Sequence, residues 1–230
     1  MEVKIPVIEL NQLNPDDMSK VVSQIANNDP AIEGIDFRYI DNFNPQLQNE
    51  LSNALANNKS LKIVKFSDVK GVINIPQLVT FLHNNHSLQK FHMEDVVDGD
   101  ILQLVINALM NTTSLHKLNL PSNRYLMLSI KVLCNFIKTN KSVRSLNIVD
   151  GHLSSAEVIY LADALRYNTT IKILKVHDKY LPYGIDENIL LAMIWINRHP
   201  FDYPINQKDI LFLPFEYRFS MMTGKEKTRN

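Results

Sequence analysis

Basic residues recur at fixed offsets along this chain, and their spacing suits the binding of anions better than bond-breaking chemistry. In five copies of a repeating apolar hexamer that start between residues 61 and 171, the second, third, fifth and seventh positions hold seven lysines and arginines, where composition predicts about two. The third, fifth and seventh positions would line one face, with the second position at its edge. Side chains that alternate along a strand share one face of a sheet, so these cations would form a row facing carboxylates or phosphates. With three histidines included, the candidate ligand-binding residues are Lys62, Lys65, Lys90, His92, His116, Lys117, Arg144, Lys172, Lys175 and His177.

Two interpretations of this row stay open. The lysines could simply keep an exposed sheet soluble, or the row could steer and orient an acidic ligand. The scarcity of acids favours the second interpretation, since Glu94 alone falls at these positions. The compensating acids are expected on outer loops and helix starts, such as Asp98 and Asp100.

The chemistry of the row also bears on the class of partner. Its histidines would add positive charge below about pH 6.5, although ordinary polar surface roles would explain them too. The aromatic stacking platforms typical of single-strand nucleic-acid binding are nearly absent from these positions. We therefore expect an acidic protein surface or a phosphorylated segment as the partner, and not a nucleic acid.

Residues capable of other chemistry are few. Cys134 is the single cysteine and falls at a packed helical position, which predicts a buried structural thiol and a reducing compartment. His83 and His86 have a spacing suited to zinc, but no cysteine or carboxylate follows at a convincing distance. The chain has six glycines and no nucleophile-elbow or phosphate-loop motif. We expect no catalytic residue, metal or cofactor, and hence no enzyme.

The element that positions the cations is the hexamer itself, Leu-x-x-Leu-x-Leu or a close apolar variant. Successive copies start 29, 27, 27, 28 and 28 residues apart, and a related pattern at Ile5 lies another 27 upstream. Such a steady period predicts one supersecondary unit stacked on copies of itself. The first residues of the six copies are Ile32, Leu61, Leu88, Leu115, Val143 and Ile171.

A helix is predicted before each hexamer. Apolar residues stand ten, seven and six positions ahead of the hexamer, as Leu51, Ala54 and Leu55 do, and this is one face of an α-helix. A polar turn such as Asn57-Asn58 follows each helix, and asparagine tolerates the left-handed backbone that ends helices. Cap and proline pairs or a capping box predict helix starts at Asn14-Pro15, at Asn44-Pro45 and over 154–157.

The combined pattern resembles the leucine-rich repeat of the ribonuclease-inhibitor type. The phrase Asn-Asn-x-Ser-Leu-x-x-Leu-x-Leu after a Leu-x-x-Ala-Leu helix carries the resemblance, over roughly residues 5–177. It implies an α/β solenoid curved like a horseshoe, with parallel strands on the concave face, helices on the convex face and about six to seven repeats. The family usually carries asparagine eight positions after the first leucine, where only Asn123 fits here, so irregular bends are expected.

A solenoid needs atypical ends that hide its open core faces. We therefore divide the chain into an N-terminal strand and helix cap over 1–30, repeats over 31–180, a C-terminal helix and aromatic cap over 181–222 and a polar tail over 223–230. Seven of the 19 aromatic residues lie between 195 and 219. They form either a lid on the last repeat or a partner or dimer interface, and both remain possible. The interface candidates are Trp195, Phe212, Phe215, Tyr217 and Phe219.

Composition limits the compartment. No stretch of 18 apolar residues predicts a membrane span, and the N-terminus lacks a signal-peptide pattern. The formal net charge is zero, which gives no reason to expect a membrane surface or nucleic acid as partner. We expect a cytoplasmic protein, and the oligomeric state is not predicted.

The function predicted from these patterns is a protein-interaction module that binds an acidic surface or segment through its basic concave face. The alternative is a regulator of an enzyme, such as a GTPase-activating protein, by analogy with similar repeats. The 25 asparagines and irregular bends also resemble repeat proteins that intracellular bacteria deliver into host cells through a secretion system. An A/T-rich genome would produce the same composition, so the effector hypothesis stays open.

Overall fold

The computed structural model describes residues 5–38, 45–66, 73–94, 98–120, 124–148 and 155–175. Within these ranges seven parallel strands form one sheet in chain order, and six α-helices alternate with them. The predicted leucine-rich repeat solenoid is confirmed. The strands are β1 (Ile8–Glu9), β2 (Gly34–Phe37), β3 (Ile63–Phe66), β4 (Lys90–Met93), β5 (Lys117–Asn119), β6 (Ser145–Asn147) and β7 (Ile173–Lys175). The helices are α1 (Pro15–Ala26), α2 (Pro45–Ala56), α3 (Ile75–Asn84), α4 (Gly99–Ala108), α5 (Arg124–Thr139) and α6 (Ser155–Arg166), and a 3-10 turn covers Leu10–Gln12.

The core lies between the sheet and the helices. Parallel pairing brings the same hexamer position of neighbouring strands into register, so Val64 pairs with Phe91 and Phe91 with Leu118. These fourth-position side chains are buried from β2 to β7, and the sixth-position ones are buried from β2 to β6. Phe37 and Phe66 stack with their ring centroids 4.7 Å apart. Full burial of each such side chain stabilises the fold by about 1.5–3 kcal/mol, which explains why the period is so regular.

The corner between each helix and the next strand differs from the prediction. Among the described non-glycine residues only Asn28 has a positive φ, of 54°, so the left-handed explanation for the other turns is wrong. Instead, the second residue of each turn is buried. Asn85 accepts hydrogen bonds from the backbone N–H groups of Ser87 and Leu88 and donates to the Asn58 carbonyl one repeat earlier, at 3.2 Å.

We call this set of buried corner residues the asparagine ladder. The side chain is selected because it donates and accepts at once, closing its own turn and tying it to the preceding repeat. Thr112 takes the equivalent place in one repeat, and its hydroxyl donates within its own turn to the Leu109 carbonyl. The members are Asn58, Asn85, Asn140 and Asn168.

Other local predictions have mixed outcomes. The Asn14 side chain caps α1 by accepting from the Asp17 backbone N–H at 2.9 Å, as predicted. The helices α2 and α6 begin at Pro45 and Ser155, while residues 44 and 154 lie outside the described ranges. So do all the bends expected to be irregular, Asn123 included, and the proposed units over 181–222 and 223–230.

Cys134 is buried and free, as predicted. Burial raises the pKa of its thiol to about 11, with a smaller lowering by the charge of Lys138 and a smaller raising by that of Asp163. The thiol therefore keeps its proton and packs as a small apolar group. Among the helices of the described ranges, none combines the length and apolarity needed to cross a membrane.

Candidate functional site

The sheet face opposite the helices is called the open face here. It consists of the third and fifth hexamer positions, and the second positions form its edge. Register aligns each position into a row, for example Asp36 with Lys65 and Lys65 with His92. The edge row is continuous as well, because backbone hydrogen bonds join its members. The N–H of Arg144 donates to the carbonyl oxygen of His116 at 2.9 Å, and the N–H of Lys172 donates to the carbonyl oxygen of Arg144 at 2.7 Å. The predicted ligand-binding residues thus come together on one face, except His177, which lies outside the described ranges.

The part of the open face on β2–β4 carries carboxylates of its own. Asp36 is only 3% exposed and accepts hydrogen bonds from Arg38 Nη2 at 2.8 Å and from Lys65 Nζ at 3.1 Å. Burial is the largest influence on the pKa of Asp36 and raises it, but the hydrogen bonds from Arg38 and Lys65 together outweigh burial and lower the pKa below its ordinary value. On the edge row, Lys62 forms an ion pair with Glu33 of the preceding strand.

A second carboxylate network continues toward β5. The Glu94 carboxylate lies 2.5 Å from His92 Nε2 and 3.8 Å from Arg38 Nη1. The Asn119 side-chain amide nitrogen lies 3.2 Å from the other ring nitrogen of His92. Glu33 and Asp36 therefore place part of the compensating negative charge on the open face and its edge, in addition to the acids expected on outer loops and helix starts. Both acids belong to the first hexamer, which starts at Ile32 and lies outside the five copies in which the basic residues were counted.

The part of the open face on β5–β7 has a different charge. Its second, third and fifth positions hold four lysines and arginines, one histidine and no carboxylate. Arg144, Lys172 and Lys175 are exposed. With Lys117, Ser145 and Ile173, the first two of them line a groove of about 330 Å³. Within the described strands, the second, third and fifth positions therefore concentrate positive charge at this end of the sheet.

Residues 5–7, which we name the N-terminal strap, lie against the open face at β2. A Cβ atom on Gly34 would stand 2.8 Å from the Pro6 carbonyl oxygen and 3.0 Å from Val7 Cγ2, so only glycine fits. The strap side chains of Ile5 and Val7 also line a cavity of about 320 Å³ with Lys65, Lys90 and His92. Sequence reasoning predicted only a strand here. The glycine at the third position of the first hexamer was the available signal.

The remaining candidate residues are not brought together. His83 and His86 are both exposed at the end of α3, and no group of three potential ligands among the described residues is placed to hold a metal ion. The aromatic interface candidates Trp195, Phe212, Phe215, Tyr217 and Phe219 lie outside the described ranges.

Comparison with known proteins identifies the fold and no family. No family model matches the chain. The tropomodulin C-terminal domain of Caenorhabditis elegans is similar over 66% of this chain and 93% of that one, with a TM-score of 0.55 and 14% identity. Actin-binding site 2 of leiomodin-1 aligns with a TM-score of 0.42 and 14% identity, covering 81% of this chain and 92% of that one. A leucine-rich repeat-containing protein of Legionella pneumophila aligns with a TM-score of 0.44 and 17% identity, covering 84% and 69%. At such identities the first likeness supports the leucine-rich repeat fold alone.

Proposed function

We propose that this protein is a non-enzymatic interaction module that binds an acidic protein segment on the β5–β7 part of its open face. The observation that carries the proposal is the change of charge along one continuous face. Glu33 and Asp36 pair with Lys62 and Lys65, whereas the equivalent rows of the described repeats place no carboxylate beside Arg144, Lys172 or Lys175. A partner's carboxylates would supply at β5–β7 what Glu33 and Asp36 supply at β2–β3.

The rows favour a protein ligand on geometric grounds. Neighbouring strands stand about 4.8 Å apart, which lies between the rise of about 3.4 Å per residue and the interval of about 7 Å between same-side residues in an extended polypeptide, so a flexible segment can bring its acidic side chains to successive cations of a row. Charges arranged in this way steer and orient a partner more than they strengthen the final complex. Binding should therefore weaken as ionic strength rises.

The non-enzymatic part of the proposal draws on the single cysteine, Cys134. Cys134 is buried among the helices, on the side of the sheet away from the cations. Its raised pKa keeps it as the unreactive thiol.

The direct test is binding of a short labelled oligoglutamate peptide at low salt, followed by fluorescence anisotropy. The charge reversals Arg144→Glu and Lys172→Glu together should abolish binding. Lys20→Glu with Lys131→Glu is the matched control, because it changes the net charge equally at exposed positions on α1 and α5. Equal losses in the two variants, or no binding by the unmodified protein, would refute the proposal.

Enzyme regulation and delivery into a host cell stay predictions. The loops that follow the strands, through which a GTPase regulator would act, lie largely outside the described ranges. Nucleotide hydrolysis by a panel of GTPases would test the first prediction, since no acceleration by the protein would discard it. Transfer of a fused reporter into host cells would test the second.

A further inference from the structure

The third-position row changes character where it reaches β6. Register places Lys117 beside Ser145, and Ser145 beside Ile173. Serine is much smaller than either neighbour, so a depression forms between the lysine and the isoleucine. This depression belongs to the groove of about 330 Å³ that Arg144 and Lys172 border on the edge row.

One wall of the depression is apolar and open to solvent. Ile173 is 50% exposed, and it is the only large apolar side chain of the described open face that is so exposed. Single exposed hydrophobic residues are common on protein surfaces and carry little information alone. Here the side chain borders a recess that is also lined by Lys117, Arg144 and Lys172, and this combination suits a ligand that is both acidic and apolar.

We propose that the depression over Ser145 is a subsite for an apolar side chain standing between carboxylates in the partner segment. This presupposes the binding function proposed above and specifies its ligand. In an extended segment, residues i−2, i and i+2 point to the same side at intervals of about 7 Å. The central apolar side chain would pack on Ile173, while the flanking carboxylates reach the cations of the edge row. Recognition would then require the sequence pattern as well as the negative charge.

The pattern separates a specific site from a merely basic surface. A basic surface binds any acidic segment according to its charge, and binding fades with salt. Contact between Ile173 and an apolar side chain removes apolar surface from water and is not screened by ions. The apolar contribution should therefore persist at salt concentrations that weaken the charge contribution.

The test uses labelled peptides of equal charge on the full chain, measured by fluorescence anisotropy. Tandem copies of Glu-Ser-Leu-Ser-Glu should bind about tenfold more tightly than tandem copies of Glu-Ser-Ser-Ser-Glu, because burying part of one leucine is worth about that factor. Ser145→Trp fills the depression and should remove this difference while leaving the charge unchanged. Ile173→Thr keeps a β-branched residue in β7 and should reduce the difference in affinity between the two peptides. Thermal unfolding of both variants establishes that they are folded.

Each other outcome contradicts a defined part of the proposal. Equal binding of the two peptides, lost on Arg144→Glu with Lys172→Glu, overturns the subsite and leaves the binding function standing. Absence of binding by either peptide overturns both. A phosphoserine peptide without leucine that binds more tightly than the leucine peptide, and is unaffected by Ser145→Trp, would replace the acidic segment with a phosphorylated ligand.

Discussion

The two parts of the open face share a backbone and differ in what their side chains meet. On β2–β4, a carboxylate in the same row stands next to a lysine, as Asp36 does to Lys65. On β5–β7, the same row holds Asn119, Asn147 and Lys175. The N-terminal strap covers the first part at Gly34, while a groove opens in the second at Ser145. The charge available to a ligand is therefore decided by the register neighbour, one repeat away, and not by how many cations a strand contains.

The largest expected loss of stability concerns the asparagine ladder, which runs through the repeats of both parts. Asn85→Ala and Asn140→Ala should each lower the free energy of unfolding by about 3 kcal/mol, because each leaves buried backbone groups without partners. Both side chains accept from two backbone N–H groups and donate to a carbonyl of the preceding repeat. Urea unfolding followed by circular dichroism measures the loss.

Asn57→Ala is the matched control for the ladder, since Asn57 is an exposed turn residue whose side-chain amide donates to the Asn53 carbonyl of the preceding helix in the same repeat. It should change stability by less than about 0.5 kcal/mol. Similar losses for Asn57→Ala and Asn85→Ala would show that the ladder bonds are unimportant. A loss confined to Asn85→Ala would show that the two parts differ in their backbone and not only in their surface.

The second prediction concerns a substitution that breaks the ion pairs of Asp36 on the β2–β4 part of the open face. Asp36→Asn should destabilise the protein by about 2 kcal/mol, because a buried charge-assisted network loses the carboxylate that binds both Arg38 and Lys65. Lys175→Gln, at the equivalent position of β7, should change stability by less than about 0.5 kcal/mol because its side chain is exposed. Equal effects of the two substitutions in urea unfolding would erase the contrast between the two parts.

The Asp36 effect should also depend on pH in a defined direction. The pKa of Asp36 in the folded protein is lowered from its ordinary value of 3.8, where burial, the largest influence, raises it and the bonds from Arg38 and Lys65 prevail. Such a carboxyl stabilises the fold fully above its unfolded pKa, and the stabilisation is lost as the pH falls through the folded value. The stability difference between the unmodified protein and Asp36→Asn should therefore be constant above about pH 5 and shrink below about pH 4. A difference that grows on acidification would contradict this.

The fold was predictable because its signal is local and repeated. Residues such as Leu61, Val64 and Phe66 mark both the strand and its buried face, and the capping residue Asn14 marks a helix start. The asparagine turns were located correctly but explained wrongly. The partner of Asn85 is a carbonyl 27 residues earlier, which no local propensity reveals.

The candidate site was predictable only in part, for the same reason. Side-chain alternation predicts that Lys90 and Lys117 share a row, and the register of β4 and β5 pairs these two residues. The pairing of Lys62 with Glu33 depends on register between strands 29 residues apart, and the contact of the strap with Gly34 depends on the path of the chain end. Both contacts depend on tertiary structure, so a count of the charges within single strands cannot reveal them.

The third prediction tests the strap. Gly34→Ala should lower the free energy of unfolding by about 1–2 kcal/mol, because the added methyl group would overlap the Pro6 carbonyl oxygen and force the backbone apart. Ser145→Ala changes the third position of β6, where no strap lies, and should alter stability by less than about 0.5 kcal/mol. If Gly34→Ala is as harmless as Ser145→Ala in urea unfolding, the strap does not rest on the first part of the face.

The smallest effect is expected for substitutions in the edge row, and these compare its two ends directly. Lys62→Gln should cost less than about 1 kcal/mol, since the Lys62–Glu33 ion pair is partly exposed and the paired side chains are 34% and 31% accessible. Lys172 lies in the same row, which places no carboxylate beside it within the described repeats. Lys172→Gln should therefore change the free energy of unfolding by less than Lys62→Gln does. A double-mutant cycle of Lys62→Gln with Glu33→Gln isolates the pairing energy from other effects of each substitution. Repeating the cycle at about 1 M salt should reduce that energy, because ions screen exposed charges. A coupling energy that is zero at low salt would mean that Glu33 does not neutralise Lys62, and the cationic surface would then extend along the whole edge row.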